Sequence, residues 1–223
     1  MFTQASFDFL NELSVNNDRQ WFKANQPRYE QQVREPALQF IDTMRPAILA
    51  LSPRLTAVPK KVGGSMMRPQ RDSRFSKNAT PYKTNVGIQF RHFQAKDVHT
   101  PGLYVHIAND GCFIGAGIWQ PASPALHAIR RCIDENPNSY KKALKTLTQA
   151  GFNMEGKQLV RPPRGYDNNH PLLDELKRKD FIAIKPISIA QVCSPNFSDF
   201  CANEFEHCQS LMRYLCFALD LDY

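Results

Sequence analysis

Acidic side chains are nearly missing from one long stretch of this 223-residue chain. Between Arg54 and Lys96 stand ten basic residues and a single acid, Asp72. The formal net charge is +7, and this stretch holds all of the excess, the remainder being slightly acidic. A surface that is basic for solubility spreads its charge, so an excess confined to one segment implies a local positive field. Long apolar runs are missing too, and nothing approaches the ~20 residues that span a bilayer. The start, MFTQASFDFLNEL, lacks the basic-then-apolar pattern and small-residue cleavage site of a secretory signal. A cytoplasmic location is expected. No C-x-x-C pair occurs among the six cysteines, which removes the usual zinc and redox spacings.

Enzyme signatures are equally scarce. The chain has no G-x-x-x-x-G-K-[ST], H-E-x-x-H or G-x-S-x-G, and no G-x-G-x-x-G opening a helix. His92, His99, His106 and Cys112 fall on neighbouring strands, but their spacings carry no metal signature. No metal and no cofactor is expected. Hydrophobic residues make up 42% and charged residues 22%, which sets aside disordered, collagen-like and rod-like chains.

What the chain does contain is periodic. Helices are expected over residues 5–13 and from Arg19. The series Tyr29, Val33, Ala37, Phe40, Ile41, Met44, Ile48 and Leu51 continues at helical spacing, with Pro36 and Pro46 kinking or dividing it. Val86, Ile88 and Phe90 then alternate with polar residues, as do Leu103, Val105 and Ile107. Asp110-Gly111 is preferred hairpin chemistry before a return strand from Cys112 to Trp119. Gly115 and Gly117 share one face of that strand, leaving room for another backbone, a ring or a ligand. Ser123-Pro124 and Ser139 open two more helices. A short strand is expected over Gln158 to Arg161, a brief helix from His170 to Lys179, and a strand from Phe181 to Ile187. Phe197, Cys201, Phe205, Cys208, Met212, Leu215 and Leu219 mark one face of a long C-terminal helix, where cysteine packs as a small hydrophobe. The fold class is α+β: one domain over residues 1–223, an antiparallel sheet with a hairpin packed by N-terminal, middle and C-terminal helices.

Two places look functional. In the first, Arg68, Arg71, Arg74 and Lys77 recur every three residues, with Ser76 among them and Lys83 close behind. A helical turn would align them; an extended segment would converge them on one anion. Guanidinium groups bind two oxygens of a phosphate or carboxylate at once, and ammonium adds a point charge. Tyr82 stands beside Lys83 as a possible proton carrier. The second is the loop holding Arg161, Arg164, Tyr166 and Asp167, shaped by Pro162, Pro163 and Gly165. There His170 would act as acid or base oriented by Asp167, or both would simply cap the helix that follows.

The segments NNDRQWF from Asn16, RDSRFSK from Arg71, PYKTN from Pro81, GLYVHI from Gly102, GAGIW from Gly115 and RPPRGYD from Arg161 resemble, in order, the domain-of-unknown-function 2461 family. The resemblance implies one full-length domain and names no activity. The expected partner is therefore read from charge: a phosphate-bearing small molecule or a nucleic-acid end at the basic segment. The alternatives are a noncatalytic nucleic-acid-binding module, or arginines paired internally with carboxylates.

Overall fold

A computed structural model of the chain describes residues 1–71, 80–94 and 100–223. Alternation of apolar and polar residues produces strands β1 (Asn85–Arg91), β2 (Gly102–Ala108), β3 (Cys112–Ile118) and β5 (Phe181–Ile187), with a three-residue β4 (Asn153–Glu155). They form one antiparallel sheet in the order β1-β2-β3-β5-β4. Because side chains alternate across a strand, Val86, Ile88 and Phe90 share a face with Leu103, Val105, Ile107, Ile114, Ala116, Ile118, Phe181 and Ala183, and all are buried. Helices cover that face. The other face, carrying Gln89, Tyr104, His106, Phe113 and Ile184, is only half-buried.

At the N-terminus come α1 (Gln4–Val15), α2 (Arg19–Ala24) and α3 (Gln26–Tyr29), with Asp18 accepting the Trp21 N–H at 2.8 Å as the cap of α2. A π-helical turn at Glu30–Arg34 then leads without interruption into α4 (Glu35–Leu51). Pro36 follows just after the π turn, and the helical run continues through it rather than dividing. Pro46 lies inside α4, and the helix continues through it rather than dividing. Phe40 of α4 stacks on Phe197 at 5.0 Å and approaches Phe90 of β1 at 6.4 Å. Across the sheet's other half lie α5 (Ser123–Glu135), α6 (Pro137–Gln149), α7 (Leu173–Leu176) and α8 (Ile189–Val192). Among the described residues, no helix is long and apolar enough to cross a membrane.

Three sequence expectations need correction. The C-terminal helix is two helices, α9 (Phe197–His207) and α10 (Gln209–Ala218). The Cys208 N–H bonds to the Phe205 carbonyl at 3.1 Å, a tightened turn that interrupts the α-ladder while the apolar face runs on. Gln158 to Arg161 is not a strand; Gln158 makes a lone bridge to Arg178, and Pro162 and Pro163 cannot extend it because they lack a donor. The helix after His170 is confined to Leu173–Leu176.

The hairpin forms as expected, with Gly102 paired to Gly117 and Tyr104 to Gly115 across β2 and β3. The space above Gly115 and Gly117 belongs to backbone. A Cβ at Gly115 would lie 2.9 Å from the Ala183 carbonyl oxygen, and one at Gly117 would lie 1.9 Å from that of Phe181.

Gly111 has φ 154° and open space around it, whereas Gly117 combines φ 129° with that collision. In urea melts, Gly111→Val should cost roughly 1–2 kcal/mol through backbone strain alone. Gly117→Ala should cost clearly more, because β5 must also move; equal losses would place the strain elsewhere. All six cysteines are free, and Cys201 and Cys208 are wholly buried. Burial pushes both thiols far above the ordinary range, with Glu204 adding to the shift, and pushes Cys216 up to about 12. A thiol reagent should therefore leave Cys201 and Cys208 unlabelled until the protein unfolds, and rapid native labelling would contradict the helix-face packing.

Candidate functional site

The basic segment runs extended along the outer edge of β1. The Gln89 N–H bonds the Ser65 carbonyl at 2.8 Å, Met67 N–H the Gly87 carbonyl at 2.9 Å, Lys83 N–H the Pro69 carbonyl at 2.8 Å and Arg71 N–H the Pro81 carbonyl at 2.9 Å. Residues 65–71 thus form a ribbon with 81–89, covering an edge that would otherwise invite pairing with another chain. Of the two geometries open to this segment, Arg68 and Arg71 take the extended one. Arg74, Ser76 and Lys77 lie outside the described residues.

The ribbon is pinned at its far end. Asn17 takes the Tyr82 N–H on its side-chain oxygen at 3.0 Å and donates to the Tyr82 carbonyl, also at 3.0 Å. The Tyr82 ring stacks on Phe22 at 3.9 Å. This anchors Lys83 beside Arg68 and Arg71. Burial lowers the Lys83 pKa, and the charges of Arg68 and then Arg71 lower it further. Arg71 Nε is buried with no hydrogen-bond partner.

Two other cations of the same stretch are paired. Arg54 meets Asp222 at 3.0 Å and Lys61 meets Glu30 at 3.2 Å. Among the described residues, Arg68, Arg71 and Lys83 have no carboxylate partner. Arg68 also lines a cavity of about 380 Å³ with Arg34, Lys61, Gln89 and Arg91.

Next to the ribbon, the half-buried sheet face carries a cluster of which only His106 stood out in the sequence, among residues without metal-ligand spacing. His106 stacks on Phe113 at 4.6 Å with ring planes 7° apart. Its Nδ1 accepts from the Tyr104 hydroxyl at 3.2 Å and lies 3.5 Å from Asn85 Nδ2. The proton of the neutral ring therefore sits on Nε2. Gly87 makes this possible, since a Cβ there would lie 2.7 Å from the Tyr104 hydroxyl. Strand alternation was the available signal: Tyr104 and His106 are the polar phase of β2.

The second candidate loop is only partly assembled as expected. Arg164 and Tyr166 line a cavity of about 660 Å³ beside α5, together with His127, Arg130 and Arg131. Arg161 is exposed and does not line it. Asp167 does not orient His170; its Oδ1 accepts the Asn169 N–H at 2.6 Å. His170 Nε2 pairs with Asp134 of α5 at 3.0 Å, and its Nδ1 accepts the Leu172 N–H, also at 3.0 Å. His170 therefore caps no helix: the N-cap of α7 is Leu172, with no side-chain bond, and His170 ties the preceding turn to a charge partner 36 residues away. Arg130 was visible in the sequence as an arginine in phase with Leu126, Ile129 and Ile133.

Burial lowers the His106 pKa below its ordinary 6.5, against a smaller opposing effect of Asp110. On acidification the unfolded chain takes up the proton first. The stabilisation by neutral His106 is full above pH 6.5 and is lost as pH falls from there toward the lower folded-state value. The unfolding free-energy difference between wild type and His106→Asn should shrink through that window, and a difference constant from pH 8 to 5 would show an unperturbed ring.

Neither a curated protein nor a solved structure matches the chain significantly. The family model described as conserved hypothetical protein DUF2461 matches residues 5–214. It takes in the N-terminal helices, the ribbon, the whole sheet and the first part of α10, so the chain belongs to the DUF2461 family.

Proposed function

We propose that the protein binds a phosphate-bearing ligand, a nucleotide-like metabolite or a nucleic-acid end, with its anionic group held by Arg68, Arg71 and Lys83. The observation that carries this reading is the position of Lys83, half-buried on the ribbon beside Arg68 and Arg71 with no carboxylate partner among the described residues; burial and the two guanidinium groups lower its pKa. Three like charges gathered without a carboxylate among the described residues repel one another in the free protein. An oxyanion between them reverses the sign of that interaction and supplies acceptors for the Arg71 Nε, which is buried without one. The His106–Phe113–Tyr104 cluster lies beside it, two residues farther along the strand from Asn85, and offers an apolar, partly aromatic surface for the rest of the ligand.

Tyr82 holds the ribbon to α2 through its ring and its backbone. Its part in this reading is to set the position of Lys83. The internally paired alternative accounts for Arg54 and Lys61, whose carboxylates are in place, and leaves Arg68, Arg71 and Lys83 unexplained.

Thermal melts with inorganic phosphate test the proposal. At ten times the dissociation constant, a gain of about 1.4 kcal/mol should raise Tm by roughly 3–6 °C in a chain this long. Lys83→Met should abolish the shift while leaving the phosphate-free Tm equal or higher, since it removes a half-buried cation from two others. A wild type indifferent to phosphate, or a Lys83→Met variant that responds fully, overturns the reading. Should duplex DNA bind instead, with log affinity falling against log salt at a slope of roughly −4 to −5, the segment lies along a nucleic acid through about five phosphates.

A further inference from the structure

The cavity beside α5 raises a separate question, because its wall contains a charge with no carboxylate partner among the described residues. Arg130 is 5% exposed. Its Nη2 donates to the Arg178 carbonyl at 2.9 Å, and its Nε is buried with no hydrogen-bond partner. Burial lowers its pKa. Two nearby carboxylates are engaged elsewhere. Glu175 holds Arg178 through Nε at 2.6 Å and Nη2 at 3.2 Å while accepting the Tyr140 hydroxyl at 2.8 Å. Asp134, one helical turn after Arg130, binds His170 at 3.0 Å.

A guanidinium buried without a counter-ion costs several kcal/mol of desolvation. Two further arginines, Arg131 and Arg164, line the same space, and so do the exposed His127 and the Tyr166 hydroxyl. No acid lines it among the described residues. The walls are rigid: Arg130 and Arg131 sit on α5, and the facing loop is set by Pro162, Pro163 and Gly165, the last at φ 93°. Burial first, and the nearby Asp134, raise the Tyr166 pKa, so its hydroxyl stays protonated as a donor.

We infer that this cavity is a second anion site, distinct from the ribbon, which takes a compact multivalent oxyanion on Arg130, Arg131 and Arg164. Three guanidinium groups offer paired N–H donors to phosphoryl or carboxylate oxygens. The cavity of about 660 Å³ has room for a small metabolite that carries such a group. Bound there, the oxyanion gives Arg130 both its missing acceptor and its missing counter-charge.

The experiment is titration calorimetry on the full chain carrying Lys83→Met, so that the ribbon does not contribute. Pyrophosphate and citrate are the two probes, and they separate a phosphoryl ligand from a polycarboxylate one. Saturable binding of either at one per chain is expected, weakened at least tenfold by Arg164→Ser and by Arg130→Met. Arg130→Met should also keep or raise the ligand-free Tm, because it deletes an unpaired buried charge. Failure of both probes to bind, or binding unaffected by Arg164→Ser, overturns the site. A lowered Tm in Arg130→Met without binding to the parent would assign Arg130 to holding the Arg178 carbonyl alone. Arg164 is exposed, so its variant remains informative if Arg130→Met does not fold.

Discussion

A sheet with helices on only one side must bury its whole apolar phase in one direction. Here the side chains of β1, β2, β3 and β5 that point toward α4, α9 and α10 are aliphatic or aromatic almost without exception. Burial at about 25 cal/mol per Å² of apolar surface makes this the dominant favourable term. It also decides what the opposite face can be. A one-residue slip of register would turn every strand over, so the positions of Gln89, Tyr104, His106 and Phe113 on the half-open side are enforced by Ile88, Leu103, Val105 and Ile114 on the closed one. The half-open side inherits its precision from the packed side.

The distribution of charge follows a different logic. Most arginines near carboxylates are paired: Arg28 with Glu12 at 2.8 Å, Arg34 with Glu30, Arg45 with Asp42 at 2.7 Å and Arg178 with Glu175. Against that background two groups stand apart, the ribbon trio and Arg130 with its cavity neighbours. Both have a buried Nε without an acceptor, in Arg71 and in Arg130. Buried donors are paired in the great majority of native positions, so two guanidinium groups sharing this exception mark where a ligand would change the energy most.

Much of this was legible in the chain before folding. The strand phases, the Asp110-Gly111 turn and the strand from Phe181 to Ile187 follow from period-two alternation, a local property. The ribbon is different. Lys83 and Pro69 meet through backbone bonding, and Pro69, Pro81 and the dense charge erase any alternation that would announce it. His170 found Asp134 because α5 packs against the loop; Asp167 was nearer in sequence but uses its carboxylate in its own turn. Arg130 lay in plain view among apolar positions, yet helical phase alone does not say whether a carboxylate waits at the same depth. The break at Cys208 was hidden because the apolar face passes through it unbroken.

The π turn at Glu30–Arg34 has a consequence for the phase of everything after it. Tyr29, Val33, Ala37 and Ile41 recur at steps of four, which on a regular α-helix drift by roughly 40° each and would spiral off the sheet. One widened turn absorbs part of that drift, so Tyr29 and Val33 stay buried together with Ala37, Phe40 and Ile41. The same turn delivers Arg34 to the cavity that Arg68 and Arg91 share. It acts as a phase adjuster between two stretches of helix, one in step with α1 and the other with β1 and α9. A family member lacking one residue there would run as a regular α-helix through the same stretch with the phase of every later position kept, so the residue in the place of Phe40 would still face Phe197.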